Sequence, residues 1–261
     1  MKVLALDFDG VIANSQMECL FVGFNSYLKL HKNTKLFDGE EFTFNNFNKT
    51  IKKHRKTAKK YKKLRPYVID AFCYYVVAHI IEKKIIIRNQ NEYNNIRKKL
   101  IKKYDKYVKY FYNERYNLQT KNYEKWLELE IPFKKAINGI KRLENQYKIT
   151  IATNNNRRSI SGFLEKYKIN PEVIADSSIS TDKKKQLAYI KNSLKVKFNE
   201  IHFVDDNVGH FPKLLKLGIH CYLATWGYNT KKQHEEAKRL GAVLLNQDNF
   251  YNILSKKINK L

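Results

Sequence analysis

The chain has 261 residues, with 51 Lys and Arg against 25 Asp and Glu, a formal net charge of +26. That length can bury a core without disulfide staples, and the three cysteines (Cys19, Cys73, Cys221) form no C-x-x-C pair, which argues against a disulfide framework or a zinc ribbon. The longest apolar stretch, residues 68–81, contains Asp70 and His79 and is too short to span a bilayer, so a reducing, cytoplasmic setting with no membrane partner is expected.

Met1 leads straight into "KVLAL", a strand ending in acids rather than a signal peptide. This strand delivers Asp7 and Asp9 on either side of Phe8, and the chain then bends at Gly10. Residues 14–131 follow without a clear strand, and helices are expected over 15–31, 45–63, 65–84, 90–117 and 121–130. Within them Lys49–Lys63 carries nine basic residues and no acid. Tyr74, Tyr75, Tyr107 and Tyr110 read as core of this helical segment rather than as a substrate platform.

From residue 132 the texture changes to short apolar runs between helical stretches. "FKKAINGIKRLENQY" reads as a helix opened by Pro132, and "KITIAT" as a strand ending at Thr153, Asn154 and Asn155. Helix "RRSISGFLEKY", strand "VIA" and helix "DKKKQLAYIKNSL" come next. "IHFV" is a strand ending at Asp205 and Asp206; "FPKLLKLG" is a helix closed by Gly218 and "HCYLAT" a strand. "HEEAKRLG" and "AVLL" add a last helix and strand. Alternation of this kind implies an α/β fold, a Rossmann-like doubly wound parallel sheet. The expected domains are a core of 1–13 with 132–261 and an inserted all-helical cap of 14–131. His54, His79, His202, His210 and His220 show no metal-ligand spacing, and Trp226 reads as packing or as a rim residue.

In open parallel sheets ligands bind beyond the carboxyl ends of the strands. Asp7, Asp9, Asp205 and Asp206 would gather at that rim and repel one another unless a hard divalent cation such as Mg²⁺ sat among them. "LALDFDGVIANS", "ITIATNNN", "TDKKKQL" and "IHFVDDN", in this order, resemble the motifs of the haloacid dehalogenase superfamily, and "GIHCYLATWGYNT" is similar to its phosphoglycolate-phosphatase-like members. The resemblance covers strand one and about 132–247. It implies a Mg²⁺-dependent phosphatase acting on a small anionic phosphomonoester through an aspartyl-phosphate. Asp7 matches the nucleophile and Asp9 the general acid and base. Thr153 matches the phosphate-binding hydroxyl, with Asn154 and the turn at Gly10 beside it. Asp7, the Asp9 carbonyl and Asp205 match the metal ligands, and Asp206 would bind directly or through water. The motif lysine falls among Lys183, Lys184 and Lys185, and the spacing to Leu187 favours Lys183.

Because Asp9 is present, a phosphatase or phosphomutase fits better than a dehalogenase, since a halide leaves without a proton. The alternative is a nucleic-acid-associated protein, a polynucleotide-end phosphatase or a binding module that uses the basic helical lobe. A genome that favours Lys, Asn, Ile and Tyr codons would also produce this charge. Sequence alone identifies neither the substrate nor the oligomeric state.

Overall fold

A computed structural model describes residues 2–256. The chain divides into two compact units: Ser15–Glu130 forms one, and the segments on either side of it form the other.

The chain begins with strand β1 (Val3–Leu6), wholly buried, and a short strand β2 (Ala13–Asn14). The helical unit follows: α1 (Gln16–Leu30), α2 (Phe47–Lys53), α3 (Arg55–Leu64), α4 (Phe72–Glu82), α5 (Gln90–Ile101), α6 (Lys106–Lys121) and α7 (Tyr123–Leu127). Several expected helices are broken or shortened, 121–130 to α7 among them. The expected helix 45–63 breaks at His54, whose ψ of 39° leaves the helical path and whose ring pairs with Asp38. The expected 65–84 starts only at Phe72, because residues 65–67 form a short 3₁₀ turn closed by the Val68 amide on Arg65 O and residues 68–71 follow without helix. The expected 90–117 is two helices, the second started where Asp105 accepts from the Lys106 amide.

Inside this unit Glu18 accepts from Arg115 through two bonds, at 2.8 and 2.7 Å, and from Trp126 Nε1 at 3.1 Å, all three residues buried. Tyr74, Tyr75 and Tyr107 are buried, as expected of core residues, and Tyr110 is half-buried. Tyr74 stacks on Phe111 with ring centroids 5.2 Å apart.

The other unit resumes with β3 (Ile131–Pro132), antiparallel to β2 with Ala13 opposite Pro132. Pro132 therefore lies in a ribbon and does not open the next helix. A two-stranded edge tolerates its missing N–H. The Phe133 amide bonds Ile12 O, and α8 begins at Lys134 and runs to Leu143. Then come β4 (Lys148–Ala152), α9 (Arg157–Lys166), β5 (Val173–Ala175), α10 (Lys183–Leu194), β6 (Ile201–Asp205), α11 (Phe211–Leu215), β7 (His220–Ala224), α12 (Lys231–Arg239), β8 (Val243–Leu245) and α13 (Phe250–Lys256). α13 lies beyond the elements read from sequence, and α11 stops short of Gly218.

Six strands form one parallel sheet in the order β5-β4-β1-β6-β7-β8. The order reverses direction at β1, the place where such sheets leave a crevice. The fold is thus the expected α/β, Rossmann-like parallel sheet with an inserted helical segment.

Candidate active site

The site is assembled from the ends of β1, β4 and β6 and the start of α10, all within one unit. Register places them level. Leu6 pairs with Val204 and with Ile151, so Asp7 emerges beside Asp205 and close to Thr153. Hydrogen bonds continue the ladder one step, from the Asp7 amide to Val204 O and from the Thr153 amide to Ala175 O.

Asp7 Oδ1 accepts from Lys183 Nζ at 3.0 Å and from the Phe8 amide at 2.8 Å. Lys183 is 3% exposed, and its Nζ also reaches Ala152 O at 2.5 Å. Of the three consecutive lysines, Lys183 alone is buried; Lys184 and Lys185 are exposed. Asp182 caps α10 at the Lys184 amide, and this sets the rotation that turns Lys183 inward.

Burial pushes the Asp7 carboxyl up to about 6; Lys183 opposes this, and Asp205 and Asp9 reinforce it. Asp205 is fully buried, which disfavours its charge. His210, the buried ammonium of Lys183 and the Asn207 amide together hold its carboxyl below the ordinary value. His210 Nδ1 lies 2.6 Å from Asp205 Oδ2, and the Asn207 amide 2.9 Å from Oδ1. Asp206 Oδ2 accepts from the Tyr228 amide.

One carboxylate oxygen from each of Asp7, Asp205 and Asp206 lies within 4.8 Å of the other two. Three oxygen donors so close, with one carboxyl forced upward in affinity for a proton, fit a hard divalent cation. The Asp9 side chain lies outside that trio. Its Oδ2 accepts from Asn155 Nδ2 at 3.1 Å. Asn155 also donates its amide to Thr153 Oγ1 at 3.1 Å. Asn154 Oδ1 lies 3.3 Å from Gln186 Nε2, which also bonds Thr153 O at 2.7 Å and Ser180 O at 2.6 Å.

Gly10 takes φ +80°, and a Cβ there would fall 2.2 Å from Asp206 Oδ2. The turn is held by the Gly10 amide on Ala13 O and by the Ile12 and Ala13 amides on Phe8 O. Trp226 is a packing residue: its Nε1 bonds Val11 O at 3.1 Å and its ring meets Phe250 edge-on. Sequence reasoning placed Asn155 at the strand end without giving it a role, and it missed Gln186, His210 and Tyr228. Gln186 could have been found three residues after Lys183 on one helix face. His210, five residues past Asp205, and Tyr228 carry no comparable signal.

No protein-family model and no curated protein matches this chain. Solved structures do. A haloacid dehalogenase-like family hydrolase from Streptococcus pneumoniae is similar at TM-score 0.59 and 13% identity, over 98% of each chain. A predicted phosphatase from Clostridium acetobutylicum matches at 0.60 and 15%, over 100% of each. A predicted phosphoglycolate phosphatase from Haemophilus somnus matches at 0.58 and 14%, over 98% of each. The likeness is one of fold, shared with structures described as haloacid dehalogenase-like hydrolases and predicted phosphatases.

Proposed function

We propose that this chain is a Mg²⁺-dependent phosphatase that hydrolyses a small phosphomonoester through an aspartyl-phosphate on Asp7. The observation that carries the reading is the buried contact between Lys183 and Asp7 beside a trio of carboxylates. Asp7, Asp205 and Asp206, with the Asp9 carbonyl, would hold the cation, which when bound would neutralise the substrate's phosphoryl charge.

An Asp7 oxygen attacks phosphorus, and the bond from phosphorus to the ester oxygen breaks. Asp9, protonated at this stage, gives its proton to the leaving alkoxide. Asp9, now a carboxylate, takes a proton from water; the hydroxide adds to phosphorus and the bond to Asp7 breaks, releasing inorganic phosphate. Asn155 keeps the Asp9 carboxyl in place for both transfers. Lys183 lowers the repulsion between Asp7 and the incoming phosphoryl oxygens. The Thr153 hydroxyl binds one of those oxygens, with Asn154 and the Gly10 turn beside it. The retained general acid also suits a phosphomutase, but nothing here favours transfer to a second hydroxyl over water.

Phosphate release from a panel of phosphomonoesters tests the reading. Activity should require Mg²⁺, vanish with EDTA and fall at least a thousandfold in Asp7→Asn. Full activity in Asp7→Asn would refute it.

A further inference from the structure

The helical unit carries a surface that the phosphoryl chemistry does not use. Between residues 42 and 69 there is no acid. The apolar side chains Phe47, Ala58 and Tyr61 point inward, and all nine basic residues of Lys49–Lys63 are exposed. Among the described residues only Lys53 of these nine has an acidic partner, Asp38 at 2.6 Å.

Thr57 and Lys60 of α3 line a cleft of about 690 Å³ together with Lys32, Lys35, Lys83 and Lys84. The acid in this cleft, Glu82, is engaged by the hydroxyls of Tyr27 and Thr34. Glu82 also attracts Lys83, but among the described residues Lys32, Lys35, Lys60 and Lys84 have no ion pair with an acid.

Next to this cleft the chain runs Lys83-Lys84-Ile85-Ile86-Ile87-Arg88. Lys84 holds a left-handed φ of 53°, and the Ile85 amide closes α4 onto Ile80 O at 3.0 Å. The turn leaves Ile85 38% and Ile86 75% exposed. Adjacent aliphatic side chains so exposed, and flanked by cations, call for a partner with both an anionic layer and a hydrocarbon interior.

We propose that this surface docks on the anionic face of a lipid bilayer, the lysines over headgroups and Ile85 and Ile86 inserted among acyl chains. Polybasic charge and a short apolar insertion are the two signals that reversible membrane docking combines. Nucleic acid fits less well. Of the nine basic residues only Arg55 offers the bidentate fork that phosphodiesters favour. None of the exposed large apolar residues on α2, α3 or the 83–88 turn is an aromatic on which a base could stack. Isoleucine at the tip has no role against a polynucleotide.

Sedimentation of the full-length protein with phosphatidylcholine vesicles, with and without phosphatidylserine, tests the assignment. Binding is expected only with phosphatidylserine, and it should weaken as salt is raised. Ile85→Ser with Ile86→Ser should weaken it at least tenfold, and Lys59→Gln with Lys60→Gln and Lys83→Gln at least tenfold. These positions are exposed, so circular dichroism and phosphatase activity should not change. Absence of binding to phosphatidylserine vesicles overturns the proposal. Undiminished binding by the isoleucine variant does so too, as does binding of a short oligonucleotide in place of vesicles.

Discussion

Burial disfavours the charge of the Asp7 carboxylate, and Asp7→Asn measures that burden separately from catalysis. Its carboxyl sits at about 6 against an ordinary 3.8, burial being the first cause. A carboxyl raised on folding binds its proton more tightly in the folded state. Its contribution to stability is therefore greatest below pH 3.8 and declines as pH rises to about 6. Above that it is constant, and a shift of this size amounts to roughly 3 kcal/mol. In EDTA at pH 7.5, Asp7→Asn removes a buried anion and leaves Lys183 with Ala152 O, a neutral amide and the attraction of the Asp205 carboxylate. The net expectation is a gain of roughly 1–2 kcal/mol, or about 2–6 °C in Tm for a chain of this length. At pH 4.5 the gain should shrink toward zero. Differential scanning calorimetry in EDTA at the two pH values is the assay. Added Mg²⁺ should raise the Tm of the parent protein more than that of the variant, by mass action on a site that has lost a ligand. A lower Tm for Asp7→Asn at pH 7.5 in EDTA would show that the Lys183 pairing outweighs burial, and the electrostatic argument would fail.

Gly10→Ala should abolish Mg²⁺-dependent thermal stabilisation and cut phosphate release at least a hundredfold with unchanged far-ultraviolet dichroism, because the added methyl falls on the Asp206 carboxylate. In the helical unit, Glu18→Gln should lower stability by about 3–5 kcal/mol, since it leaves the Arg115 guanidinium buried without its counter-ion. Glu18→Met with Arg115→Met should cost less than that single change, as read by urea denaturation.

The sheet was legible because its strands are short apolar runs ending in acids or a threonine, and no other arrangement buries such runs on both faces. Asp7 and Asp205 come out level because register follows from the hydrophobic runs themselves. The helical unit was legible only as helical. Its breaks depend on interactions invisible to periodicity: His54 held by Asp38, and Asp105 turned back on its own helix start. Pro132 misled because a proline before a helical pattern usually sits in the first turn, and here a two-residue ribbon with Ala13 claims it. The roles of Asn155 and His210 were missed for a related cause. Each acts on an acid from another segment or another turn, and only the folded backbone sets that distance.

Two glycines that look unrelated in sequence have one cause. Gly10 follows the first pair of acids, and Gly227 lies between Trp226 and Tyr228 more than two hundred residues later. A Cβ at Gly227 would stand 2.3 Å from Asp206 Cβ and 2.6 Å from Gly10 O. The two backbones thus close on Asp206 from opposite segments, and the Tyr228 amide then reaches its carboxylate. Asp206 is hemmed in by main chain from two segments, whereas Asp7 and Asp205 each combine one neighbouring backbone amide, Phe8 or Asn207, with one side-chain partner, Lys183 or His210. A side chain can relax around a substitution, but two converging backbones cannot. Methyl groups added at the two glycines should therefore damage the site more than conservative changes to the lysine or the histidine, although neither glycine supplies a functional group.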